Sequence, residues 1–195
     1  MPLKKEPLRV LVISGGMKTK ALLQDTLPSN QFSPLHTVSS CGDARRILLE
    51  THYDILVINT PLPDEFGVET ALDIAHTHSL GILLLVKNEI YDQVCNRVED
   101  FGIVTLPKPI SKQTLYVSLK MLASMQYKLR CIEKETLSLK KKMNDIRIIT
   151  RAKMILIDQL HMTEPQAHHY IEKQAMDRCV KKLEIAEHVI RTYDR

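Results

Sequence analysis

Residues 53–58 have the sequence YDILVI, and this almost continuous apolar run decides the fold class. A strand that is apolar on both faces is typical of a parallel sheet with helices on both sides. Comparable runs occur at residues 8–13, 81–86 and 102–106, with a weaker one at 35–38. Helical patterns lie between them at residues 19–27 and 43–51. Five strands interleaved with helices over about 110 residues predict a doubly wound α/β domain, with its ligand crevice at the carboxyl ends of the strands.

The composition limits the class of protein. The chain has 195 residues, of which 44% are hydrophobic and 26% charged, enough for one ordinary domain core and a smaller appendage. No apolar stretch is long enough to span a bilayer and the first residues lead into no signal peptide, so we expect a soluble, cytoplasmic protein. The four cysteines are widely spaced, which indicates neither a zinc site nor a disulfide framework, and we expect buried thiols.

Positive charge is concentrated in the C-terminal part of the chain. Residues 113–195 contain 16 Lys and Arg against 10 Asp and Glu, a net charge of +6. Residues 1–112 contain 11 against 13, a net charge of −2. A basic surface for an acidic partner is therefore expected in the C-terminal part.

The carboxyl end of the apolar run at residues 53–58 carries a motif. Asn59, the segment 60–63 (TPLP) and Gly67 follow it, and Lys108-Pro109 follows the last predicted strand. This arrangement resembles the response-regulator receivers of two-component signalling, where the central strand ends in the phosphorylated aspartate and a Lys-Pro pair follows the last strand. The resemblance implies a flavodoxin-like receiver domain.

Other positions depart from the receiver pattern. The two acids that hold Mg²⁺ in receivers are replaced by Ser14 and Gly15, the phospho-acceptor position is Asn59, and the Ser/Thr position after the fourth strand is Val86. Phosphoryl transfer needs a carboxylate nucleophile and a metal, and an amide supplies neither. We therefore expect a degenerate receiver without metal, cofactor or enzymatic activity, in which Lys108 has a structural role at the sheet edge.

From residue 113 the apolar positions follow a heptad repeat. Their spacing alternates between three and four, and no Pro or Gly interrupts residues 113–161, which permits one helix of roughly 70 Å. The segment from Leu115 to Leu122 is expected to pack on the α/β domain as its last helix. Beyond Met125 the narrow seam needs a partner, so we predict a parallel, homodimeric coiled coil. The predicted seam consists of Leu122, Met125, Leu129, Ile132, Leu139, Met143 and Ile146.

The last 45 residues predict a small three-helix bundle. Thr163 is a candidate N-cap, Pro165 is tolerated in a first turn, and Gln166 stands where a capping box requires Glu or Gln, so a helix should begin at Glu164. Its predicted inward face is Ala167, Tyr170, Ile171, Gln174 and Ala175, with Met176 near its end, and that of the third helix is Val180, Leu183, Ala186, Val189 and Ile190.

The same segment carries a second resemblance. Ala152-Lys153, then the run 162–177 with Ala175-Met176, then residues 185–187 (IAE), resemble the ANTAR transcription-antitermination modules over residues 146–192. The resemblance implies binding to paired RNA stem-loops in a leader transcript, which prevents termination. Receiver, coiled coil and ANTAR module in this order are also the family's common arrangement. At the position after Ala-Lys, where the family often has a small residue, this chain has Met154.

These patterns predict three parts: a receiver-like domain at 1–120, a coiled-coil linker at 121–150 and an ANTAR RNA-binding domain at 151–195. RNA loops are recognised by phosphate-contacting cations and by polar or stacking groups. The candidates are Lys153, Thr163, Gln166, His169, Lys173, Arg178, Lys181 and Lys182. Lys153 and Arg178 lead because both lie near helix junctions, where they could converge on one ligand. A metal site is not expected, because neighbouring His168 and His169 point about 100° apart on a helix.

Three classes of function remain open from the sequence. The first is an RNA-binding antiterminator that works without receiver phosphorylation and is controlled by a regulatory protein partner. The second is a DNA-binding transcription factor resembling a response regulator. Its recognition helix would need Arg, Asn and Gln, whereas residues 180–190 contain mainly lysines and acids. The third is a scaffold that acts through protein contacts alone.

Overall fold

The computed structural model describes residues 6–193, apart from the side chains of residues 17 and 18. The chain divides into two compact units, Met1–Arg130 and Cys131–Arg195. The first unit contains a five-stranded parallel sheet in the order β2-β1-β3-β4-β5. Its strands are β1 (Leu8–Ile13), β2 (Phe32–Val38), β3 (Ile55–Asn59), β4 (Gly81–Lys87) and β5 (Val104–Lys108). Its helices are α1 (Met17–Thr26), α2 (Cys41–Glu50), α3 (Val68–Thr77), α4 (Tyr91–Val98) and the first part of α5 (Lys112–Leu160).

Both faces of the sheet are covered, as the apolar run at residues 53–58 predicts. Leu56 and Ile58 of β3 belong to a core with side chains from α2, α3 and α4. Ile55 and Val57 point to the other face and belong to a core with side chains from α1 and α5. All four side chains are fully buried. The doubly wound α/β fold predicted from the sequence is confirmed.

Element boundaries differ from the sequence prediction by a few residues. The edge strand β2 begins at Phe32 rather than Leu35, and β5 runs from Val104 to Lys108 rather than from 102 to 106. The cysteines are not all buried: Cys41 is buried, whereas Cys131 and Cys179 are exposed. Within residues 6–193, no helix combines the length and the apolar character needed to cross a membrane.

The N-terminal part of α5 is the last helix of the α/β unit. Leu115, Leu119 and Leu122 are buried in the core shared with α1 and the sheet. Leu122 is 3% exposed, so its assignment to the dimer seam is wrong: the side chain is already used by its own domain. The other six predicted seam residues, Met125, Leu129, Ile132, Leu139, Met143 and Ile146, are between 44% and 71% exposed.

A buried ion pair attaches α5 to the amino-terminal edge of the sheet. Asp54, which precedes β3, is 1% exposed, and its carboxylate binds the guanidinium of Arg130 on α5. The other carboxylate oxygen accepts a hydrogen bond from the backbone N–H of Arg9 at 2.7 Å. Because a buried carboxylate needs such partners, this contact holds Arg130 of α5 against the sheet of the first unit.

The second unit is a small helical bundle formed by the end of α5, α6 (Glu164–Asp177) and α7 (Lys182–Tyr193). The predicted start of α6 at Glu164 is confirmed, with the Gln166 side chain accepting a hydrogen bond from the backbone N–H of Thr163 at 2.8 Å. Its core consists of Ala152, Leu156, Ala167, Ile171, Ala175, Ile185, Ala186 and Val189.

The turn between α6 and α7 differs from the prediction. Cys179 has a φ of 52°, a left-handed conformation that usually favours glycine. The N–H of Val180 donates to the carbonyl of Ala175, and the N–H of Cys179 donates to that of Met176, which is the Schellman pattern at a helix end. Val180 therefore precedes α7 and is 36% exposed, so its predicted inward position is wrong.

Candidate functional site

The carboxyl edge of the sheet is closed by its own side chains. Asn59 ends the central strand β3, and its amide nitrogen donates to the hydroxyl of Ser14 at 3.1 Å and to that of Thr19 at 2.8 Å. Ser14 follows β1 and is 5% exposed, and its hydroxyl donates to the carbonyl of Gly16. The amide thus joins the β1–α1 loop to the end of β3.

This edge does not fit the Mg²⁺ of a receiver. Mg²⁺ is held in proteins through carboxylates, and the positions of the receiver acids are Ser14 and Gly15. A Cβ placed at Gly15 would lie 3.2 Å from two side-chain carbons of Pro63, so an acid there would require Pro63 to move. The donor set and the space both disagree with a metal, and no phosphoryl-transfer step can be derived for these residues.

Lys108 is held by the backbone rather than by an acid. Its ammonium group donates to the carbonyl of Thr60, directly after β3. Burial, and then the charge of Lys87 on the neighbouring strand, lower the pKa of Lys108 from its ordinary value. The geometry agrees with a structural role for Lys108 at the sheet edge.

Among residues 6–193, one group of possible metal ligands comes together in the segments that follow β2 and β3. Atoms of Cys41, Asp64 and Glu65 lie within 4.8 Å of one another. However, Asp64 accepts the N–H groups of Cys41 at 2.8 Å and Gly42 at 3.2 Å, in the first turn of α2. Burial raises the pKa of Cys41 to about 12, which keeps it a thiol and a poor ligand. The group stabilises a helix start.

In the C-terminal unit, three of the predicted RNA-contact residues have structural partners. Lys153 is half-buried and its ammonium lies 2.5 Å from the carboxylate of Glu164, at the start of α6. That hydrogen bond, together with the lysine's charge, lowers the pKa of Glu164 from its ordinary value. Thr163 and Gln166 form the capping interaction of the same helix. These three side chains therefore position α6.

Lys182 also has a partner. Its ammonium binds the carboxylate of Glu172 on α6, and His168 lies 3.3 Å from the same carboxylate. The hydrogen bond and charge of Lys182 lower the pKa of Glu172 from its ordinary value. The contact ties the start of α7 to α6. His169 is exposed on the outer side of α6.

Three cations near the α6–α7 turn remain available to a ligand. Lys173, Arg178 and Lys181 are exposed, and within residues 6–193 their side chains make neither an ion pair nor a hydrogen bond. We call these three residues the turn cluster. Met176 lies between them in sequence and is 77% exposed. The predicted inward position of Met176 near the end of α6 is therefore wrong.

Lys153 and Arg178 lie near opposite ends of α6. Lys153 contacts Glu164 at the first residue of α6, whereas Arg178 is the C-cap of the same helix. Fourteen residues of helix separate the two ends by about 21 Å at 1.5 Å per residue. In the turn cluster, Lys173 lies on α6, Arg178 is the C-cap of that helix, where the backbone dipole favours positive charge, and Lys181 immediately precedes α7.

Comparisons with known proteins agree with this architecture. Residues 137–190 match the model of the ANTAR domain. The transcriptional regulatory protein PdtaR of Mycobacterium tuberculosis is 27% identical over 190 residues, which cover 95% of this chain and 91% of the relative.

Solved structures resemble the N-terminal unit. The signal receiver domain of an HD domain-containing protein from Pseudomonas fluorescens superposes with a TM-score of 0.59 and 20% identity, over 67% of this chain and 96% of that one. A response regulator receiver domain protein from Clostridium thermocellum gives a TM-score of 0.54 and 19% identity, over 63% and 98% of the two chains. At these identities the likeness shows the receiver fold alone.

Proposed function

We propose that this chain, which carries an ANTAR domain at residues 137–190 behind a receiver-like domain, is a transcription antitermination regulator that binds RNA stem-loops. The observation that carries the proposal is the turn cluster: three exposed cations that have no acidic partner among residues 6–193, on the surface of the domain that matches the ANTAR model. Cations on such a surface attract phosphates, and the exposed Met176 beside them offers an apolar contact for an unstacked loop base.

The competing DNA-binding function has weaker support. A helix-turn-helix protein reads the major groove with Arg, Asn and Gln on its recognition helix. The exposed residues in the first half of α7 include Glu184, and Lys182 is paired with Glu172. A helix with as many acids as cations, one of which is already paired with α6, is poorly suited to enter a groove lined by phosphates.

Regulation is proposed to work without phosphorylation of the receiver-like domain. The amide of Asn59 occupies the acceptor position and is already hydrogen-bonded to Ser14 and Thr19. The neighbouring positions offer no ligand set for Mg²⁺. Control would then come through contacts with a partner protein or through assembly of the chain itself.

A parallel homodimer through α5 is the proposed assembly. The exposed apolar residues between Met125 and Ile146 form a stripe, which we expect to be buried in an interface in the functional state. With Ile132 at heptad position d, Lys128 and Glu135 fall at position g, and Glu133 and Lys140 at position e. A parallel dimer pairs each g residue with the next e residue of the other helix, which joins opposite charges at 128 with 133 and at 135 with 140. The next pair, 142 with 147, joins two cations, so the charges favour pairing mainly in the first half of the stripe.

The test is a binding measurement on the full chain. We expect tight binding to an RNA with two tandem hairpins and much weaker binding to duplex DNA of equal length at the same salt concentration. Preference for the DNA would instead support the DNA-binding function. Failure with both nucleic acids, together with a stable protein complex in pull-down, would support a scaffold and contradict the proposal.

A further inference from the structure

We infer that the dimer contact does not begin beyond the receiver-like unit but continues along it, through the face of α5 that carries Ser118, Met121 and Met125. The occupant of this face is the same face of a second copy of the chain. The inference rests on the proposed dimer and states where its interface lies.

The exposure of α5 inside the first unit identifies this face. Met121 is 58% and Met125 55% exposed, while Leu122, one residue further along the helix, is 3% exposed. Leu122 faces the sheet, so its neighbour Met121 is turned away from it. A simple heptad would place Leu122 in the seam, and the structure assigns that residue to the domain core.

The helical phase places Met121 in line with the downstream seam. At 3.6 residues per turn, each residue advances by about 100°. Relative to Met125, Ile132 then lies at about −20°, Leu129 at about +40° and Met121 at about −40°, whereas Leu122 lies at about +60°. Met121 therefore continues the seam on the side away from the sheet.

The spacing of this face has a known structural meaning. Residues 118, 121, 125, 129 and 132 are separated by intervals of three, four, four and three. Two consecutive intervals of four are a stutter, which locally unwinds the left-handed supercoil of a coiled coil. This spacing allows α5 to pack on the sheet through Leu122 and on a partner helix through Met121.

The scarcity of charged residues on this face of α5 indicates that it is covered by a second copy of the chain rather than exposed to solvent. Between Thr114 and Tyr127 the one charged residue is Lys120, whose ammonium bonds to the side-chain oxygen of Gln31 at 2.5 Å, away from this face. The flanking Val117 is 48% exposed. A solvated helix face normally carries charges, so an apolar and hydroxyl surface here indicates a covered one.

The short length of the seam after Met125 also supports an interface that extends along the first unit. Residues 125–146 provide about three heptads and include Thr136 at a core position, close to the minimum for a coiled-coil assignment. Contacts at Ser118 and Met121 add another heptad of buried surface. In a parallel pairing each residue of the face meets its own counterpart, so Met121 opposes Met121.

Site-specific disulfide trapping tests the inference on the full chain. In a background in which the partly or fully exposed cysteines 95, 131 and 179 are replaced by serine, Met121→Cys and Met143→Cys are oxidised at low micromolar concentration. We expect both variants to give covalent dimers, because core positions facing across a parallel seam lie within disulfide reach. The matched control is Tyr116→Cys, exposed on the same helix but about 180° from Met125, which should stay monomeric on a non-reducing gel.

The possible failures are distinguishable. Trapping at 143 without trapping at 121 would overturn the inference while the proposed dimer stands. Trapping at neither position, with a wild-type chain that sediments as a monomer, would overturn both. As a second measurement, Met121→Lys should raise the dimer dissociation constant about tenfold or more, whereas Tyr116→Lys should leave it unchanged. Equal effects of the two lysine substitutions would also contradict the inference.

Discussion

Substitution of Leu156 by alanine should unfold the C-terminal unit selectively. Leu156 is fully buried in a core of eight residues, four of which are alanines, so it supplies a large share of the apolar volume. Leu→Ala substitutions at buried sites cost about 2 to 5 kcal/mol, depending on how far the cavity collapses. A module of about 54 residues is stable by only about 3 to 8 kcal/mol. The substitution thus removes a large part of the free energy of unfolding of this unit.

Thermal unfolding followed by circular dichroism measures the effect. A loss of about 3 kcal/mol should lower the Tm of the C-terminal unit by about 12 to 24 °C, while the transition of the α/β unit stays where it is. Met154→Ala is the matched control, two residues away on the same helix and 58% exposed, and should change Tm little. If Leu156→Ala and Met154→Ala melted alike, the core described for this bundle would be incorrect.

Three further predictions concern the rest of the chain. Incubation with acetyl phosphate and Mg²⁺ should leave the intact mass unchanged, because Asn59 is not a nucleophile; a phosphoryl adduct on the first unit would contradict this. Replacing Leu129 and Ile132 together by lysine should convert the dimer to a monomer in sedimentation, because charges would face each other across the seam. A wild-type chain that is monomeric at micromolar concentration would contradict the proposed seam. Arg130→Ala should destabilise the first unit by about 1 to 3 kcal/mol in urea unfolding. This is less than for a fully buried ion pair, because Arg130 is partly exposed. Lys128→Ala is the control. Equal midpoints for the two variants would show that the contact with Asp54 does not stabilise the unit.

The fold could be predicted because its decisive signals are local. The apolar runs that become β1, β3 and β4 require burial on both faces, and helical segments lie between them. The edge strand β2 is harder, because only part of it is buried and its first residues contain Pro34. The start of α6 was also readable, since Thr163 and Gln166 are neighbours in sequence that act on the same helix end.

The residues whose positions were predicted incorrectly depend on tertiary contacts that cannot be inferred from spacing in the sequence. A leucine that packs on its own sheet and one that packs on a partner helix fit the same heptad, so Leu122 could not be distinguished from Leu129. The left-handed Cys179 stands where glycine would be expected, and it shifts Val180 out of α7. The ion pair of Lys153 with Glu164 joins residues eleven apart on different helices, and its formation removes that lysine from the free cations.

Binding through the turn cluster is tested most directly by the salt dependence of affinity for a tandem-hairpin RNA. Each lost phosphate contact lowers the slope of log K against log salt by about 0.7 to 0.9. Combined replacement of Lys173, Arg178 and Lys181 by alanine should therefore reduce the slope by about 2 to 3 and weaken binding, while Lys20→Ala with Lys87→Ala on the first unit should change neither. An unchanged affinity and slope in the triple variant would contradict the account.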